Sequence, residues 1–324
     1  MKIGVIPPVP MEPFSASPHE AANLWSAFFL ARDREPWVET ARLAGFPDNF
    51  SLWARCLYGM VFETATQTVY YPEPGLPKEV ARVMQLLGEQ DVRVVPFSFP
   101  ILRNEGRLRD ELAKLSESLE VAPGILETVL ARWAEVRTSL RRFDGLQQRS
   151  AGFSSREYVS MLALCMDPRR DVDSIRREVE AGILTYQDVG RDRWTRVGIL
   201  GLTPYREGFY DALEERKAVV VYDEWGVENN PMATANDLVS LYNRCPIPYG
   251  LKRRQERALR EIASRRIRGV ILGVEYMCEN IRDEGFFRAN LGLPVLVLES
   301  AKGVPLSDVE THQLDRFLNE CGRS

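Results

Sequence analysis

The chain has 324 residues, 45% of them hydrophobic and 27% charged, with a net charge of −4 and five cysteines against two histidines. The near-balanced charge, with no Lys/Arg block standing free of acidic residues, excludes a nucleic-acid binder built on electrostatics. His19 and His312 are too few for a His-built zinc or di-iron site or a Ser-His-Asp triad, so a bound metal would have to rest on thiolate.

This length predicts about two domains with ample material for a core. The opening Met1-Lys-Ile-Gly-Val-Ile-Pro-Pro8 breaks its short apolar run with prolines, which is not the h-region of a signal peptide. No stretch approaches the roughly 20 apolar residues of a membrane span. A cytoplasmic protein without membrane contact is the expectation. With a cytoplasmic setting, the five cysteines read as thiols or metal ligands and not as a disulfide framework.

Residues 2–6, 68–71 and 92–97 read as strands, and 77–88 carries apolar residues at helical spacing with a glycine stop. Strand, helix and strand within about thirty residues make a βαβ unit with parallel strands. Residues 105–142 form one long helical pattern, with Leu108, Leu112, Leu115 and Leu119 three or four apart, and 155–164 and 171–181 continue it.

The last third alternates more clearly. Strand 196–200 runs into the loop Gly201-Leu202-Thr203-Pro204, and helix 205–217 leads to strand 218–222 and Asp223-Glu224-Trp225-Gly226. Helix 253–266, strand 269–274, a further helix, strand 294–298 and a helix over 310–319 complete the pattern. Four strands alternating with helices predict a doubly wound parallel sheet, whose functional groups gather beyond the carboxyl ends of its strands. The fold class expected is α/β, with two Rossmann-like or flavodoxin-like parallel-sheet lobes. Residues 1–194 would form the N-terminal lobe plus a helical connecting segment, and 195–324 the C-terminal lobe.

Three thiols stand where chemistry could gather. Cys278 follows strand 269–274 at the start of the next helix, where the helix dipole favours thiolate. Cys245 lies in Arg244-Cys245-Pro246-Ile247-Pro248, an extended loop that leaves a thiol free to point into a site. Cys56 follows the turn Gly45-Phe46-Pro47-Asp48 in the other lobe. No pair has Cys-x-x-Cys spacing, and for any lone cysteine a buried small hydrophobe is the commoner role. Cys165 reads as core and Cys321 as an incidental thiol. Glu275, Tyr276 and Glu299 sit at strand ends as candidate acids or bases, though strand-end acids more often cap a neighbouring helix. Neither a Gly-x-Gly-x-x-Gly fingerprint nor a Walker loop is present.

Arg196-Val-Gly-Ile-Leu-Gly-Leu-Thr-Pro204, Ala218-Val-Val-Val-Tyr-Asp-Glu224, the Cys245-Pro246 loop, Gly269-Val-Ile271 with Cys278, and Gly292-Leu-Pro-Val-Leu-Val-Leu-Glu299 occur in one order. In that order they resemble the second domain of the 2-hydroxyacyl-CoA dehydratase and benzoyl-CoA reductase family. Ala44-Gly45-Phe46-Pro47 with Cys56 resembles the family's first-domain segment leading to a cluster cysteine. The resemblance implies two α/β lobes with a [4Fe–4S] cluster in the cleft between them, ligated by Cys56, Cys245 and Cys278. It also implies a paralogous subunit as partner, or a homodimer, an ATP-dependent activator protein as electron donor and a CoA thioester as substrate. The chain departs from the family where Thr68-Val-Tyr-Tyr-Pro-Glu-Pro74 lacks a Cys-Asp, and where Leu306-Ser-Asp-Val-Glu-Thr-His312 lacks an arginine. Two further readings stay open beside catalysis: a [4Fe–4S] electron-transfer or support subunit, and a cluster-free two-lobed protein that binds a small ligand.

Overall fold

The computed structural model describes the chain apart from residues 101, 123, 187–189, 231, 233–236, 248–249, 275–280, 301–303 and 324, and the side chains of 192 and 281–284. The chain divides into two compact units. The first comprises residues 1–140, 163–179 and 229–249, and the second residues 141–162, 180–228 and 250–324.

In the first half of the chain, β1 (Lys2–Val5), α1 (Glu12–Ala16), β2 (Glu20–Asn23), α2 (Leu24–Leu30), α3 (Glu35–Leu43), α4 (Leu52–Glu63), β3 (Thr68–Glu73), α5 (Lys78–Gly88) and β4 (Arg93–Ser98) lead to α6 (Glu105–Ser118). Then come α7 (Ile125–Ser150), α8 (Ser155–Leu164) and α9 (Val172–Leu184). The remainder holds β5 (Thr195–Gly201), α10 (Phe209–Glu215), β6 (Ala218–Asp223), α11 (Glu224–Asn229), α12 (Leu238–Arg244), α13 (Leu251–Arg265), β7 (Gly269–Val274), α14 (Ile281–Asn290), β8 (Val295–Glu299) and α15 (Asp308–Arg323).

Each unit is built on a four-stranded sheet, ordered β2-β1-β3-β4 in the first and β6-β5-β7-β8 in the second, with every pairing parallel. This is the doubly wound arrangement in which strand order reverses between the first and third strands. The βαβ unit expected over residues 68–97 is present. Thr68 to Glu73 of β3 lies in step with Arg93 to Ser98 of β4.

Parallel strands are covered on both faces, so they read as continuous apolar runs. Ala218-Val-Val-Val-Tyr-Asp223 obeys this: every residue of β6 is buried. In the first unit Ile3, Val5, Tyr70 and Phe97 of the sheet pack with Leu108, Leu112 and Leu115 of α6 and Leu241 and Tyr242 of α12.

The single helical pattern over 105–142 is two helices, α6 and α7. Glu120 turns the chain at φ 54° and Gly124 at φ 82°, and Pro123 stands between them in the sequence. Left-handed residues end helices, and proline cannot continue one.

Helix α4 starts at Ser51, whose side chain accepts a hydrogen bond from the Ala54 N–H while its own N–H donates to Glu79 Oε2 at 2.8 Å. Ser51→Ala should therefore cost about 1 kcal/mol, read as a lower urea midpoint with an unchanged slope.

Candidate functional site

In the second unit the carboxyl ends of β5 and β6 form a polar corner. Gly201 ends β5 at φ +79°, a conformation open to glycine, and a Cβ there would overlap the Gly273 carbonyl. The Gly201 N–H donates to Glu224 Oε2 at 2.7 Å, and Arg254 of α13 donates to both oxygens of Glu224, at 2.9 and 2.7 Å. The two-pronged guanidinium fixes the carboxylate, and the carboxylate fixes the end of β5.

Two residues further along, the Thr203 hydroxyl lies 2.9 and 2.8 Å from the two oxygens of Asp223, and the Gly226 N–H donates to Asp223 Oδ2 at 3.1 Å. Asp223 has no solvent exposure. Burial outweighs its hydrogen bonds, with Glu224 adding a like charge, and its carboxyl is pushed up to about 7. Asp223 is thus a buried acid that holds its proton close to neutrality.

The loop after β5 is pinned on its other side as well. Leu202 N–H donates to the Gly273 carbonyl at 3.1 Å, and Ser300 Oγ donates to the Leu202 carbonyl at 2.9 Å. Arg206 donates to both oxygens of Glu310 at 2.8 Å and to the carbonyls of Val304 and Pro305 at 2.9 Å. That contact draws the Glu310 carboxyl down to about 2. A group depressed in this way adds stability above its ordinary value and loses it as pH falls through about 2. Glu310→Gln should accordingly lower the melting temperature by a few degrees at pH 7 and converge on the parent in strong acid, seen by calorimetry.

The first unit holds a second polar cluster that sequence spacing did not announce. Glu12 accepts from Arg137 and, at 2.8 Å, from the Tyr242 hydroxyl, which itself accepts from the Met11 N–H at 3.3 Å. Together with Trp133, Cys165 and Asn230 these groups line a cavity of about 20 Å³, room for one water.

Cys56 lies inside α4 with no exposure. Burial pushes its thiol up to about 12, against the weaker opposing pull of Arg34 and Arg55. Cys245 caps α12 and belongs to the apolar cluster of Phe97, Phe99, Leu241 and Tyr242. Its Sγ donates to the Leu241 carbonyl at 3.8 Å, and its own carbonyl accepts from Arg103 at 3.0 Å. It is 5% exposed, so the thiol expected to stand clear of packed elements is part of one. Cys278, Glu275 and Tyr276 lie outside the described residues, and Glu299 is half-buried at the end of β8. Cys56, Cys165, Cys245 and Cys321 form no disulfide.

A cubane ligand must be a thiolate with its sulfur open to iron. Cys56 does not fit that requirement, and Cys245 meets it only if its packing loosens. Among the described residues no group of three or more His, Cys, Asp or Glu side chains is placed to hold a metal ion. None of the described helices is long and apolar enough to cross a membrane.

Two all-parallel, doubly wound sheets with polar strand-end loops define an α/β protein of the class that works at its strand ends. The family described as 2-hydroxyglutaryl-CoA dehydratase, D-component, matches residues 10–316, and the chain belongs to that family. It is thus a 2-hydroxyacyl-CoA dehydratase-type subunit. No curated protein matches the chain.

Proposed function

We propose that this chain is one subunit of a cytoplasmic, heteromeric enzyme that removes water from a 2-hydroxyacyl-CoA thioester. Its partner is a paralogous subunit, and an ATP-hydrolysing activator delivers the low-potential electron. A [4Fe–4S] cluster, where bound in such an assembly, would supply one-electron chemistry to the thioester, and Cys245 and Cys278 are the residues of this chain that could approach it. The observation that carries this reading is the family match over residues 10–316 of a 324-residue chain.

This chain's own residues contribute a fixed corner at the carboxyl edge of the second sheet. Arg254 and Glu224 hold the end of β5, and the Thr203–Asp223 pair holds the loop that follows. Such rigid strand-end loops are where doubly wound proteins present groups to a ligand. Of the thiols, Cys245 and Cys278 remain this chain's candidates for touching iron.

A second reading, a support subunit with no cluster of its own, is favoured by the burial of Cys56. Both readings share the partner and the thioester. Equilibrium dialysis against 2-hydroxyacyl-CoA thioesters, with light scattering of the mixture of chain and paralogous subunit, tests what they share. A stable heteromer that retains thioester over free CoA is the expected result; a chain that stays alone and retains neither contradicts the proposal.

A further inference from the structure

We infer that, within the proposed assembly, this chain completes no [4Fe–4S] cluster by itself. The inference rests on the proposed function for the existence of that assembly. The sequence holds five cysteines.

Cys56 is closed off by helix packing. Residues three and four apart share a helix face, so Cys56, Gly59, Met60 and Glu63 form one stripe of α4. A Cβ on Gly59 would overlap the backbone of Trp37, which places α3 directly on that stripe. Thr40 of α3 adds a hydrogen bond to Glu63 Oε1 at 2.8 Å. Cys56 thus shares a face of α4 that α3 packs against, and its side chain has no exposure through which iron could reach it.

Cys321 is closed off in the second unit. It lies on α15 with no exposure, and a Cβ on Gly269 would overlap its Sγ, so the sulfur rests flat against the first residue of β7. Cys165 is 1% exposed beyond the end of α8, and burial raises its thiol well above the usual range. These three are core side chains, enclosed by packing that leaves their sulfurs no open face.

Cys245 and Cys278 remain. The histidines do not make up the number: His19 sits 3.8 Å from Glu120, and His312 is exposed on α15. A cubane is ordinarily held by a thiolate on each iron. Two thiolates leave half of its irons without a protein ligand.

The test uses the isolated chain, purified without oxygen and offered ferrous iron and sulfide before desalting. Iron, acid-labile sulfide and the EPR spectrum after reduction are then read. Less than about one iron per chain, unchanged in Cys56→Ala, is expected. About four irons per chain would overturn the inference, whether Cys56→Ala keeps or loses them. A second readout needs no variant: iodoacetamide applied to the folded chain, with peptide mass spectrometry. Cys56, Cys165 and Cys321 should stay unlabelled until urea is added, and rapid labelling of Cys56 in the folded chain would contradict the packing argument. Neither readout depends on thioester binding or on the heteromer, so failure here is distinct from failure of the proposed function.

Discussion

Gly59→Ala lowers the stability of the first unit by about 3 kcal/mol, the upper part of the range for overpacking in a core. The reason is geometric. The added methyl would occupy the position of the Trp37 carbonyl and Cα, both of which are backbone. A flexible side chain could swing away, but a helix can relieve the overlap only by moving bodily. Moving α3 also strains the contacts of Ala41, which has no exposure, and the Thr40–Glu63 hydrogen bond. Urea unfolding followed by circular dichroism measures the loss. A variant within about 0.5 kcal/mol of the parent would show that α3 does not sit on this face of α4, and the enclosure of Cys56 would go with it.

Asp223→Asn changes the dependence of stability on pH more than stability at any one pH. The Asp223 carboxyl moves from 3.8 to about 7 on folding. The folded state therefore holds a proton that the unfolded chain releases between those values. Stability from this group is fully present below about 3.8 and is lost as pH rises through about 7. At 1.36 kcal/mol for each pH unit, the swing is about 4 kcal/mol. Asparagine stays neutral, and its amide can still pair with the Thr203 hydroxyl and the Gly226 N–H. The variant should thus gain on the parent as pH rises from 4 to 8, by up to about 4 kcal/mol. Parallel stability curves for the two proteins across that range would mean that Asp223 is ionised throughout and that the corner formed by Thr203 and Gly226 satisfies its charge.

Much of the fold was legible in the sequence, for a physical reason. Strands covered on both faces must be apolar along their length, and β5, β6, β7 and β8 are such runs punctuated by glycine and polar loops. The strand β2 was not legible. Its four residues, Glu20-Ala-Ala-Asn23, include no β-branched or aromatic side chain, and it forms because β1 offers it an edge. The break between α6 and α7 was visible as Pro123-Gly124, yet leucine spacing continues on both sides and hides it. Tertiary packing also shortened the helix expected over 205–217 to Phe209–Glu215, with Arg206 drawn into its contacts with Glu310.

The candidate site was legible in position and illegible in detail. Doubly wound topology points to Gly201–Thr203 and Asp223–Glu224 before any coordinate is known. That the Thr203 hydroxyl meets both oxygens of Asp223 depends on how far each loop turns, which periodicity does not encode. The Glu12–Arg137–Tyr242 cluster joins residues 125 and 230 positions apart, so no local motif marks it. Cys56 shows the same limit from the other side. Its neighbourhood resembles a ligand segment, but how deeply a helical thiol is buried depends on packing such as that of Trp37 on Gly59, which no local motif marks.

The most direct test of the account is the conversion of a 2-hydroxyacyl-CoA thioester by the full assembly, followed anaerobically by mass spectrometry of the acyl chain. The mixture contains this chain, its paralogous subunit, the ATP-hydrolysing activator, ATP and a low-potential reductant. Loss of water that requires both this chain and ATP is the predicted result. Conversion that proceeds equally well without this chain, or no conversion by a heteromer that has formed and carries its iron, would contradict the assignment of this chain to a dehydratase.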